Sequence, residues 1–152
     1  MSTVDIVGKP PKLLRHSIKR KRRFGKRFSG EGESPEHQAL KLFVKDRPEL
    51  VGLASRFAPG LVEKLLFSGD RPDVFFSYKK SWVAVEVKSR ISNDDDLNRG
   101  LFQCVKYSAV LRAEQLEKGD VPNASAYLVY EGNFPNDLCD KARLFGVKVR
   151  FT

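Results

Sequence analysis

Residues 71–78 and 82–88 form two apolar, strand-like runs separated by a few turn residues. Side chains alternate faces along a strand. Trp82, Ala84, Glu86 and Lys88 therefore point one way, and Val83, Val85 and Val87 the other. A two-residue loop at Lys79-Lys80 pairs Tyr78 with Ser81, and counting back sets Asp73 directly opposite Glu86. Lys79-Lys80 lacks the Gly or Asn that tight hairpins favour. A longer loop would shift Asp73 off Glu86 without taking it out of that neighbourhood. Cross-strand Cβ atoms lie roughly 5 Å apart. Two carboxylates at that separation can share a divalent cation, and without a counter-ion they repel each other.

The remaining pattern places further elements around this pair. Ser34-Pro35-Glu36 reads as a helix start, with Ser as N-cap, Pro at the first position and an acid in the first turn. Ala39, Leu40, Phe43 and Val44 give that helix one apolar stripe, Pro48 interrupts it, and 48–57 predicts a second short helix. Residues 61–67 predict a first strand, which Ser68-Gly69-Asp70 turns into the 71–78 run. The 82–88 strand ends near Arg90, and Asn93 to Asp96 opens a long helix that reaches about Lys118. Leu97, Leu101, Phe102, Val105, Leu111 and Leu116 occupy several of its faces, which predicts substantial burial. A strand over 125–130, a helix over 137–145 and a strand over 147–151 complete the chain. The order is αβββαβ with an added αβ, an α/β fold with no internal repeat.

Charge divides the chain in two. Residues 1–30 hold ten Lys and Arg against the single acid Asp5, so they account for the whole net charge of +9. Residues 1–33 read as a flexible basic arm and linker, with a short helix at 11–23 on binding, and 34–152 as one domain with its own core. Lys19, Arg20, Lys21, Arg22, Arg23, Lys26 and Arg27 form the densest run and are candidate phosphate contacts, because each phosphate neutralised releases counterions. A nucleic acid is the expected partner. No run approaches the roughly 18 apolar residues of a membrane span, and no signal-peptide core opens the chain, so a membrane partner is not expected and a cytoplasmic location is. Cys104 and Cys139 stand far apart without zinc-spaced partners and read as free thiols in a reducing compartment.

Candidate chemistry gathers on the strand pair. Asp73 and Glu86 are the expected ligands of a hard cation such as Mg2+, which takes oxygen donors and one or two protein carboxylates. Lys88 beside them is suited to neutralising charge that builds on a phosphate. Glu36, one turn before Leu40, is the expected third ligand, with Glu33 its rival. Gln103 and Tyr107 are four apart and share a helical face. Asp94-Asp95-Asp96 diverge by about 100° per residue and suit a helix N-terminus better than a metal. His16 and His37 make neither an HNH-type site nor a zinc cluster, and GxxxxGK[ST] is absent, so no ATP motor is expected.

Pro72-Asp73 followed by Glu86-x-Lys88 resembles the PD-(D/E)xK nuclease superfamily, and Gln103 to Tyr107 resembles the QxxxY element of its RecB-like members. The segment Gly32 to Ala39 is similar to the family helix that carries a glutamate. The resemblance covers about residues 31–152. It implies a restriction-endonuclease-like αβββαβ core, a mixed central sheet flanked by helices. It also implies hydrolysis of DNA phosphodiester bonds with Mg2+, Mn2+ substituting. Asp73, Glu86 and Glu36 would hold the metal, Lys88 would serve the transition state, and Gln103 and Tyr107 would contact the site or the DNA strand. The rival readings are a catalytically idle nucleic-acid-binding module and a nuclease specific for RNA or branched DNA. A homodimer is left open.

Overall fold

A computed structural model describes residues 33–152. The candidate contacts Lys19, Arg20, Lys21, Arg22, Arg23, Lys26 and Arg27, the short helix expected at 11–23 and His16 lie outside the described residues.

Helix α1 spans Pro35–Lys45, and Ser34 caps it as expected, accepting a hydrogen bond from the His37 N–H. The 48–57 segment makes two short 3-10 turns, Pro48–Val51 and Ser55–Phe57, rather than one helix. Gly52 separates them with φ 73, a left-handed conformation at which glycine ends a helix cheaply. The expected 61–67 strand shrinks to β1, Leu61–Val62, because Glu63 adopts φ 52 and turns the chain away from the sheet. Strands β2 (Val74–Tyr78) and β3 (Ser81–Lys88) then form the hairpin in the expected register, Tyr78 with Ser81 through Val74 with Val85. Lys79 takes φ 51 to close the two-residue turn.

Helix α2, Asp94–Glu117, starts at an Asn93 cap and carries the chain to β4, Ser125–Tyr130. Helix α3, Asn136–Leu144, leads to β5, Lys148–Phe151. The sheet order is β1-β2-β3-β4-β5, antiparallel from β1 to β3 and parallel from β3 to β5. The α/β class and the mixed sheet expected from the sequence are therefore present.

Two apolar layers sandwich the sheet. Leu40 and Val44 of α1 pack with Val51 and Phe57 on Val74, Phe76, Val83, Val85 and Val87. On the opposite face, Leu97, Leu101, Cys104 and Leu111 of α2 pack on Phe75, Ala84, Ala126 and Leu128, with Leu138 and Ala142 of α3 in the same layer. The strand alternation is as expected. Helix α2 buries less than expected, since it covers the sheet with one side only and leaves Phe102, Val105 and Leu116 exposed. In α1, Phe43 and Ala39 are likewise exposed, and Lys41 takes a buried place beside Leu40. No helix among the described residues is long and apolar enough to cross a membrane.

Candidate functional site

The hairpin register extended one step past Val74 and Val85 brings Asp73 opposite Glu86. Both carboxylates are buried, each 8% exposed. Asp73 is tied to the neighbouring strand, its Oδ2 accepting the Val87 N–H at 2.8 Å. Lys88, two residues beyond Glu86 on the same face of β3, places Nζ 3.0 Å from Glu86 Oε1. Tyr107 of α2 sets its hydroxyl 3.3 Å from Glu86 Oε2 and 3.2 Å from the Arg71 carbonyl, so it ties α2 to both strands of the acidic pair. Gly100, nearly two turns before Tyr107, lies over the Lys88 stem. A Cβ there would meet Leu128 Cδ1 at 2.9 Å and Lys88 Cε at 3.0 Å.

Helix α1 and the residue before its cap supply a second group of side chains. His37 and Lys41 are four apart on α1 and share one side, and Glu33, just before the Ser34 cap, joins them next to Asp73. His37 Nε2 lies 3.0 Å from Glu33 Oε1 and 3.4 Å from Asp73 Oδ1. Lys41 Nζ contacts Glu33 Oε1 and lies 2.7 Å from Glu63 Oε1 and 3.3 Å from Asp73 Oδ1. The left-handed turn at Glu63 that ends β1 is thus also what presents its carboxylate to Lys41, with the Glu63 N–H donating to the Asp73 carbonyl at 3.2 Å. Ligand atoms of Glu33, His37 and Asp73 all fall within 4.8 Å of one another, close enough to surround a cation.

Electrostatics separates the two strand carboxylates. Burial and the charge of Asp73 push the Glu86 carboxyl up to about 7, against the pull of Lys88 and Tyr107. Burial pushes Asp73 up as well, but hydrogen bonds from His37 and from the Val87 N–H, and the Lys41 charge, outweigh it and hold Asp73 below the ordinary carboxylate range. Lys41 loses solvation on burial, yet its hydrogen bonds to Glu33 and Glu63 more than compensate and hold the ammonium well above the usual lysine range. Burial, reinforced by the negative charge of Glu86 and Asp73, pushes the Tyr107 phenol well up, which keeps it a proton-bearing donor. This donor set fits a hard divalent cation. Its oxygens are buried, two of them face each other across a strand pair, and the group that yields is Glu86, whose charge is the least compensated.

Of the residues expected from the sequence, Asp73, Glu86, Lys88 and Tyr107 come together. Gln103 is half-buried one turn before Tyr107, and no hydrogen bond links it to the carboxylates among the described residues. Glu36 does not join them. It is exposed on the other side of α1 and borders a groove with Phe43, Arg90 and Glu131, whereas Glu33 reaches Asp73's neighbourhood. The buried residues of α1 are Leu40, Lys41 and Val44. Glu36, although one turn before Leu40, is exposed at the helix start, while Glu33, before the Ser34 cap, contacts His37 and Lys41. His37, set aside on the sequence, is part of the cluster, and Lys41 and Glu63 were not foreseen. The four-residue spacing of Glu33, His37 and Lys41 was the signal available for two of them. Asp94, Asp95 and Asp96 occupy the first turn of α2, as expected for helix-terminal charge.

Neither a protein-family model, nor a curated protein, nor a solved structure matches the chain.

Proposed function

We propose that this chain is a Mg2+-dependent phosphodiesterase acting on DNA, a nuclease of the PD-(D/E)xK superfamily with a restriction-endonuclease-like core. The observation that carries the reading is the buried pair of Asp73, one residue before β2, and Glu86 of the antiparallel β3, with Lys88 Nζ 3.0 Å from Glu86. The element order and the mixed sheet, with a helix layer on each face, support the same assignment.

Asp73 and Glu86 are the residues that would hold the cation. When bound there, a divalent ion supplies a Lewis acid for a phosphate oxygen. Asp73 is preset for this role, because the Val87 N–H and the α1 side chains fix its orientation and keep it ionised. Tyr107 donates toward Glu86 Oε2 and limits rotation of that carboxylate. Lys88, its stem packed under Gly100, directs an ammonium at the same mouth, where it offsets negative charge as water adds to phosphorus and the leaving oxygen departs. Phe75 and Ala84, each two residues from one of the carboxylates, belong with Cys104 to one buried apolar layer, and low local dielectric strengthens each of these charge interactions.

Incubation of the full chain with supercoiled and linear DNA, in Mg2+ and in EDTA, tests the reading. Metal-dependent nicking that Asp73→Asn removes is the expected outcome. Cleavage that persists in EDTA or in Asp73→Asn would discard it. Binding of DNA without any cleavage would favour the idle-module alternative.

A further inference from the structure

We propose that the Lys41 ammonium stands in for a second divalent cation, so that the site takes one metal ion and not two. The inference rests on the metal-dependent reading above. Glu33, His37 and Asp73 bring ligand atoms within 4.8 Å of one another, which is room for an ion distinct from one held between Asp73 and Glu86. That place already has a cation. Lys41 Nζ contacts Glu33 Oε1, and it lies 3.3 Å from Asp73 Oδ1, the same two oxygens an ion there would use.

Lys41 cannot readily vacate the position. Its side chain is 6% exposed, on the buried side of α1 between Leu40 and Val44. A third carboxylate, Glu63, also holds it, at 2.7 Å. Glu63 keeps φ 52 to do so, a conformation that a non-glycine residue adopts only where its surroundings enforce it. A divalent ion bound to Glu33 and Asp73 would sit against this ammonium and be repelled by it.

The charge balance reaches the same number. Four carboxylates (Glu33, Glu63, Asp73 and Glu86) face two ammonium groups, Lys41 and Lys88. Counted as formal charges, these six side chains leave two negative charges, which one divalent cation neutralises. A second would leave the site net positive.

The test counts bound Mn2+ on the full chain by calorimetry and by the electron paramagnetic resonance of free Mn2+. The wild type should saturate at one ion. Lys41→Met should saturate at two, with Glu33, His37 and Asp73 released to bind the second, while Lys41→Arg stays at one. Circular dichroism reports whether Lys41→Met folds. If it does not, Lys41→Gln, which keeps a polar side chain beside Glu33 and Glu63, decides and should also saturate at two. Two ions on the wild type or on Lys41→Arg, or one on whichever neutral variant folds, would each overturn the inference. Two ions with DNA cleavage intact would leave the nuclease reading standing. No ion on the wild type would remove that reading and the inference with it.

Discussion

With its carboxyl pushed from an ordinary 4.5 up to about 7, Glu86 stays neutral in the metal-free fold at pH values where the unfolded chain already carries the charge. The folded value is the higher one, so this group's contribution to stability is full below 4.5 and is lost as pH rises through about 7. One unit is worth about 1.4 kcal/mol, so the contribution is on the order of 3 kcal/mol. Thermal melts in EDTA should therefore show stability falling across that window, and Glu86→Gln should flatten the fall. Mg2+ needs the ionised carboxylate, so its stabilisation should grow over the same range. A pH-independent Mg2+ effect would mean that Glu86 is not a ligand. Two neighbours give a second comparison. Glu33→Gln should weaken metal binding and cleavage far more than Glu36→Gln, because only Glu33 reaches the Lys41 and His37 cluster. Equal losses would show that contact with His37 and Lys41 does not matter to the chemistry. Gly100→Ala should cut turnover, since the added Cβ would sit 3.0 Å from Lys88 Cε and displace that stem. Unchanged metal affinity beside the lower turnover would separate this from a general disturbance.

At the scale of elements, the hairpin was legible because its information is local. A period of two assigns faces, and a two-residue turn sets the register, so Asp73 and Glu86 could be paired by counting. Lys79 argued against so tight a turn, yet it accepts φ 51, a cost of about 1–2 kcal/mol that the pairing of β2 with β3 outweighs. The first strand failed because Glu63 leaves the sheet in answer to Lys41, a partner 22 residues away that no local pattern reveals. The α1 contribution was misassigned for a related reason. Its apolar stripe suggested one side for the core, while the cluster is built from charged residues buried by pairing, and hydrophobicity does not mark those. The end of α2 makes a comparable long-range tie. Gln115 is fully buried, donates to the Lys80 carbonyl and to Asn123 Oδ1, and accepts from the Asn123 and Ala124 N–H groups. It thereby joins α2 to the hairpin turn and to the entry of β4. Gln115→Leu keeps the volume but strands the buried Ala124 N–H, and a stranded group costs about 1–3 kcal/mol. Urea unfolding should show a loss of about 3 kcal/mol with the Lys80 carbonyl included. A loss under half that would mean that water reaches these groups.

For the whole molecule, the relevant contrast is between a charge-balanced body and a basic segment. Residues 31–152 hold eighteen basic and eighteen acidic side chains, while residues 1–30 hold ten basic ones and Asp5. Both apolar layers are built from residues between Leu40 and Val149, so deletion of residues 1–30 should leave a folded body with the site intact. Within that body the candidate site is itself acidic, and it gives a polyanion little long-range attraction. Affinity for DNA of any sequence should therefore fall on deletion, while cleavage at high DNA concentration survives. The slope of log K against log salt is about −0.9 per phosphate neutralised on duplex DNA. Only some of the ten charges need touch phosphate at once, so the deletion should flatten that slope by several units, read from binding isotherms at a series of salt concentrations. A slope that does not change would assign the segment to a partner other than DNA. A slope that flattens with turnover unchanged at saturating DNA would make it a sequence-independent tether, acting on encounter and leaving bond cleavage to Asp73, Glu86 and Lys88.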